Sequence, residues 1–212
     1  MSALYAYMAL SARKARYARR MPGTSAWDRQ RSAVRSELTQ TAITMFIERG
    51  FDTTTIDEIV AAVGVSRRTF FRYFGTKEDV VLGDLADRGA IIAKALAARP
   101  ADEDPWEALR SAYISSGEST ALDDATALAI GRMLLATPSL RARLHEKRRG
   151  WHDAFVPIIA ARMGEPHGQR RATAIVAAAL ACLDTASELW IAADGDGSLL
   201  ECYDDAVAAI RA

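Results

Sequence analysis

Cysteine is scarce: only Cys182 and Cys202 occur, on separate expected helices and without metal-type spacing. That excludes a disulfide scaffold and a zinc-thiolate site, and both read as small core residues in a reducing cytoplasm. Histidine is equally sparing, and His145, His152 and His167 form no HExxH or related metal spacing. No glycine-rich phosphate loop follows a strand pattern, and no Ser or Cys sits in a nucleophile motif, so neither a cofactor, a metal nor an enzyme activity is expected. Long apolar runs are missing too. The longest, Ala174 to Leu183, is ten residues between Arg171 and Asp184, too short to span a bilayer. The apolar Ala3 to Leu10 precedes the basic Arg13 to Arg20, the reverse of a secretion signal's order. These features predict a cytoplasmic protein without a membrane partner. With only six prolines and much alanine, helix is favoured throughout.

Net charge is also absent, which excludes a generally sticky polycation. The zero is a balance of two halves. Residues 1–80 hold 13 Lys+Arg against 8 Asp+Glu, and the remainder holds 14 against 19. Five of the early positives lie in the first 20 residues, so any DNA affinity further along must come from where charges are placed rather than from their excess. At 212 residues and 50% hydrophobic, the chain can bury a core and hold one large or two small domains.

What is present is concentrated between Thr54 and Phe74. Thr55 followed by Glu58 is a capping box, so a helix starts there and runs to about Ala62. Gly64 ends it, because the position past a helix often needs a positive φ. Ser66 caps a second helix, Arg67 to Phe74. Two helices this short must dock on something, and Ile56, Ile59, Val60, Val63, Val65, Phe70 and Phe74 supply the faces. Arg67, Arg68, Thr69, Phe71, Arg72 and Tyr73 remain exposed on the second, which is the pattern of a helix-turn-helix with a recognition helix. Arginine can bond bidentately to guanine or to phosphate, threonine can meet a base edge or a thymine methyl, and tyrosine can give its hydroxyl to phosphate. Phe71 offers apolar contact alone. Thr54 and Thr55 at one helix N-terminus, and Lys77 at the next, are placed to meet phosphates.

At these residues the chain resembles the TetR family of bacterial one-component repressors. The resemblance spans about Arg31 to Val81, a quarter of the chain, and rests on Gly64-Val65-Ser66-Arg67-Arg68-Thr69-Phe70-Phe71-Arg72-Tyr73-Phe74 followed by Thr76-Lys77-Glu78. It implies an all-α protein: a three-helix DNA-binding domain, then a helical ligand-binding and dimerisation domain, working as a homodimer. It also implies that Thr55, Arg67, Arg68, Thr69, Phe71, Tyr73 and Lys77 fall on DNA-contacting positions. Two departures stand out. Phe71 replaces a frequent tyrosine and loses a phosphate-directed hydroxyl, and Gly75 replaces a proline or polar residue at the joint to the fourth helix.

Taken in order, residues 1–24 are a basic extension read as a disordered tail, with a start site drawn too early (Met21 is available) or a phosphate-reaching arm as the other readings. Residues 25–80 form the DNA-binding domain and 81–212 the second domain, about nine helices in all. Arg31 to Arg49 is the first helix, with Val34, Leu38, Thr41, Ala42, Met45 and Phe46 on one face and Arg31 and Arg35 near DNA backbone. Thr76 caps a fourth, running to about Arg99 as a lever between the domains. Further helices are expected at Trp106 to Glu118, capped by Asp104 and Pro105, at Asp123 to Ala136, and at Ser139 to Met163 with a kink at Pro157.

In the last two helices Val176, Ala179, Leu183, Ala186 and Trp190, then Leu200, Tyr203, Val207 and Ile210, recur at helical spacing. Such stripes suit either a four-helix dimer interface, the reading adopted for Val176, Ala179, Leu183, Ala186, Trp190, Tyr203 and Val207, or the chain's own core. Trp106, Tyr113, Arg132, Met133, Trp151, His152 and Phe155 are the candidate lining of an effector pocket, with plain core as the other reading. The second half also resembles, more weakly, a subgroup with an acyl-CoA-like ligand domain, through Arg-Pro-Ala-Asp-Glu at 99–103 and Ala-Thr-Pro-Ser-Leu-Arg-Ala-Arg-Leu at 136–144. That resemblance implies a lipophilic or thioester effector. Two functions follow: a ligand-responsive repressor on a near-palindromic operator, or a dimeric DNA-binding protein without effector, constitutive or architectural. A small molecule that alters operator affinity separates them.

Overall fold

The computed structural model describes residues 26–83, 85–115, 124–164 and 167–212. The readings for the 1–24 extension and for the end of the Trp106 helix fall outside the described residues. Ten helices and no strand occur among the described residues. They are α1 (Ala26–Arg49), α2 (Ile56–Val63), α3 (Arg67–Tyr73), α4 (Glu78–Leu82), α5 (Leu85–Ala97), α6 (Pro105–Ser115), α7 (Asp124–Ala136), α8 (Pro138–Met163), α9 (Gly168–Ala192) and α10 (Leu199–Arg211).

The first three helices are specified locally. Thr55 Oγ accepts from the backbone N–H of Glu58 at 3.2 Å, and the Glu58 carboxylate accepts in return from Thr55 N at 2.8 Å. The Thr55 hydroxyl, which donates to Glu58 Oε2 at 2.7 Å, and then the Thr55 N–H hold the Glu58 carboxyl below its ordinary pKa. Gly64 ends α2 at φ 73°, and the Val65 N–H reaches back to Val60 O at 2.9 Å, closing the turn. Ser66 caps α3 through Thr69 N at 3.1 Å. The α1 face of Leu38, Ala42, Met45 and Phe46 meets Ile59, Val60, Phe70 and Phe74, all buried. Phe70 and Phe74 stand 5.3 Å apart, and Arg35 lies over the Phe74 ring at 5.6 Å.

The expected single fourth helix is recorded as two, α4 and α5, with Gly83 after α4 in helical backbone angles. Thr76 still serves as the capping hydroxyl, accepting from Asp79 N at 3.2 Å. The long helix begins at Pro138 with Thr137 as N-cap, one residue before the expected start, and Pro157 lies inside it. Helix α8 is a hub: α4, α5, α7 and α9 all pack on it. Gly89 lets α5 approach α8 closely, since a Cβ there would fall 2.5 Å from Trp151 Nε1. Gly89→Ala is therefore expected to cost about 1–3 kcal/mol of stability through overpacking. A thermal melt checks it, and an unchanged midpoint would show that Trp151 yields freely.

Helix α9 corrects the apolar-run argument. As one 25-residue helix it is long and apolar enough to cross a membrane by length and composition. Its buried face nonetheless packs on α8 and α10, and it carries Asp184 and Glu188. The buried face also corrects the dimer reading. Val176, Ala179, Leu183, Ala186, Trp190 and Tyr203 are buried within a single chain, and Val207 is half-buried against the same core. A period of 3.6 marks a buried face without saying which neighbour covers it; here that neighbour is the chain itself.

Candidate nucleic-acid interface and effector cavity

On α3, Arg68, Phe71 and Arg72 point to solvent, Phe71 with 47% exposure, while Thr69 and Tyr73 are half-buried. Tyr73 is stacked under the Arg72 guanidinium at 5.0 Å, with Arg72 Nη2 donating to its hydroxyl at 3.2 Å. Arg67 is exposed yet engaged, its Nη1 donating to both carboxylate oxygens of Asp57 on α2 at 3.1 and 2.9 Å. An exposed pair of this kind contributes about 0–1 kcal/mol, so Arg67 can exchange Asp57 for a base or phosphate at little cost.

Two expected contacts change role. Thr54 is 1% exposed and gives its hydroxyl to Gly50 O at 2.8 Å, so it braces the turn after α1 and is withdrawn from DNA. Lys77 is half-buried, with its ammonium on Phe51 O at 2.6 Å and Thr54 O at 3.1 Å and over the Phe51 ring at 4.3 Å. It ties the start of α4 to the turn before α2. Thr55 stays exposed at the α2 N-terminus, engaged in the capping box.

A cavity of about 580 Å³ lies among α4, α5, α6, α7, α8 and α9. Leu82 of α4 and Leu85 of α5 form one wall, Leu134 and Leu135 of α7 another, and Arg148 and Trp151 of α8 face Asp184 and Ile191 of α9. Trp151 is locked by its indole N–H on Leu85 O at 2.8 Å. Of the candidate pocket residues, the structure brings Tyr113 and Trp151 to this cavity. Phe155 packs behind Trp151 at a ring separation of 6.0 Å. Trp106 and Met133 are half-buried against the core, Arg132 reaches outward to Asp194, and His152 sits beside Asp153. None of these four lines the cavity.

The polar lining includes Arg88 and Arg148, which lie outside the candidate set. Arg88 is 1% exposed, and burial pushes its guanidinium pKa down, while Tyr113, 5.6 Å away, has its hydroxyl pKa pushed up by burial. A signal for these cations was available: Arg88 falls in register with Leu85, Ile92 and Leu96, and Arg148 with Leu144, Trp151 and Phe155. The stem of an arginine inside an apolar stripe is carried toward whatever that stripe packs on. Among the described residues no group of three or more His, Cys, Asp and Glu side chains could hold a metal ion.

Residues 38–83 match the family described as bacterial regulatory proteins of the tetR family, and residues 103–212, more than half of the chain, match the MftR C-terminal domain. The chain belongs to the TetR family. Members of this family are DNA-binding transcription regulators. The HTH-type transcriptional regulator TcmR of Streptomyces glaucescens is 34% identical over 61% of this chain, and the match spans 60% of its own length. A protein of Mycobacterium tuberculosis named as the mycofactocin biosynthesis transcriptional regulator MftR is 28% identical over 68% of this chain and 73% of its own. A transcriptional regulator of Aquifex aeolicus VF5, known by crystal structure, is 15% identical with a TM-score of 0.49, covering 84% of this chain and 98% of that one.

In this TetR-family chain one buried carboxylate joins the two matched regions. Asp79 of α4 accepts from Arg143 Nη2 at 3.0 Å and lies 3.2 Å from Lys147 Nζ, both on α8. Burial alone would raise the Asp79 pKa, but the hydrogen bonds from Arg143 and Lys147 outweigh it, so the carboxyl titrates below its ordinary 3.8. On α8 these two partners alternate with Ala142, Leu144, His145 and Arg148, which line the cavity. On α4, Leu82 lies one turn beyond Asp79 and touches the cavity directly.

Proposed function

We propose that this protein is a cytoplasmic, ligand-responsive repressor that binds a near-palindromic operator as a homodimer and is released by a small lipophilic or acyl-CoA-like effector. The observation that carries the reading is that α4 is joined to the recognition helix by only four residues and ends, through Leu82, in the wall of the effector cavity. An effector that fills the cavity more favourably when α4 is tilted favours that state. It thereby draws the recognition helices away from half-site spacing, about 34 Å. The Asp79 pairs transmit the same displacement from α8.

Dimerisation is assigned to the opposite face of α9 from the one the stripe suggested. Ala174, Ala177, Ala181, Thr185, Leu189 and Ala192 are exposed along one side of the helix, Leu189 at 52%. Ile210 of α10 is 55% exposed. Small residues let backbones approach closely, and a two-fold pair of such faces presents two copies of α3 to successive major grooves.

The test is fluorescence anisotropy of the protein on duplex DNA from its own upstream region, over a salt series with random duplex as competitor. Saturable binding of two protomers that survives the competitor supports the reading; binding no better than to random DNA, lost steeply with salt, overturns it. Arg67→Ala and Arg68→Ala are each expected to weaken the cognate complex by about 1–3 kcal/mol and to relax base preference. Asp57→Ala should tighten binding slightly, because it frees Arg67 and removes a carboxylate from the same surface. Equal losses on cognate and random DNA from both arginine variants would limit them to phosphate contacts.

A further inference from the structure

We infer that the effector is an amphipathic anion whose carboxylate is received by Arg148. The inference rests on the cavity being the effector site and adds the chemistry of the ligand's head group. Arg148 Nε and Nη1 are both shielded from solvent and make no hydrogen bond. The nearest acid is Asp184, whose Oδ1 stands 3.4 Å from Nε and whose side chain is 46% exposed. The guanidinium plane is fixed over the Trp151 ring at 4.3 Å, and Trp151 is itself held by Leu85 O. This is a donor held in place with a loose ion pair at Nε and no acceptor at Nη1.

A buried charged donor left unmatched is costly, and a planar carboxylate matches the guanidinium fork. The other charges sharpen the choice. Arg88, buried on the same cavity, adds a second positive field, whereas Glu188 and Arg141 are exposed at the mouth and largely screened. An organic cation would meet the buried Arg88 and the largely shielded Arg148, and a neutral molecule would leave Arg148 Nη1 unmatched. The rest of the wall is apolar, Leu82, Leu134, Leu135 and Ile191 among it, so the body of the ligand is hydrocarbon or aromatic. A cavity of about 580 Å³ falls in the range that holds a drug-sized molecule.

The experiment is calorimetric titration of the full chain with octanoate, octanol and octylamine, which share one hydrocarbon body and differ in head group. Octanoate is expected to bind roughly tenfold more tightly than octanol, the scale of one charge-assisted hydrogen bond, and octylamine most weakly. Arg148→Met should remove the preference for octanoate while leaving octanol unchanged. Asp184→Asn, which removes the internal competitor for Arg148, should raise octanoate affinity and keeps the test decisive if Arg148→Met fails to fold. Equal binding of the three amphiphiles would overturn the anion subsite and leave the effector cavity standing. Binding of none of them would remove the cavity reading and this inference together.

Discussion

Phe70→Ala is expected to destabilise the DNA-binding domain by about 3–5 kcal/mol and to abolish operator binding while every DNA-facing side chain remains in place. Phe70 is fully buried and is the side chain by which the seven-residue α3 is anchored, its ring 5.5 Å from Phe71 and 5.3 Å from Phe74. A helix this short has no stability of its own, so its orientation depends chiefly on that fully buried anchor. Denaturant unfolding followed by circular dichroism, beside anisotropy on the operator, reads both effects. Phe70→Leu, which keeps most of the volume, should retain much of each. A Phe70→Ala variant with wild-type midpoint and affinity would show that α3 is held by its caps alone.

Asp79→Asn is expected to cost about 3 kcal/mol, the low end for breaking a buried ion pair, because Arg143 keeps Glu146 as a second partner. It should also reduce the effect of ligand on operator affinity, since α4 then moves without α8. The pH dependence has a definite sign. A carboxyl whose folded pKa lies below 3.8 contributes stability that is fully present above that value and is lost as pH falls through the lower folded one. The gap between wild type and Asp79→Asn should therefore be constant near neutrality and close as pH drops below 3.8. Thermal melts across that range test it; a gap that persists in acid would mean that the variant disturbs packing rather than charge.

These two residues differ in how legible they were. Phe70 lies between a cap at Ser66 and the end of a short helix, and its burial follows from the apolar spacing. Asp79 reads in sequence as an ordinary acid in a first helical turn, and only the approach of α8, more than sixty residues away in the chain, shows it buried between two cations. The same contrast separates Thr55, whose capping box was readable at a spacing of three, from Thr54, whose burial depends on the return of the chain beneath α1.

The sequence by itself determined the all-helical class, the helix-turn-helix and its caps, and the outward turn of Arg67, Arg68, Phe71 and Arg72 on α3, though not the half-burial of Thr69 and Tyr73. Those features depend on hydrogen bonds and contacts within a few residues, which local composition encodes. The tertiary structure alone decided that the α9 stripe faces the chain's own core, and that Lys77 and Thr54 brace the fold. It also decided that Arg88 and Arg148 are drawn inward to a cavity with Tyr113 and Trp151. An apolar period states that a face is covered and leaves open by what, and a charge within that face acquires its meaning from whichever helix comes to lie against it.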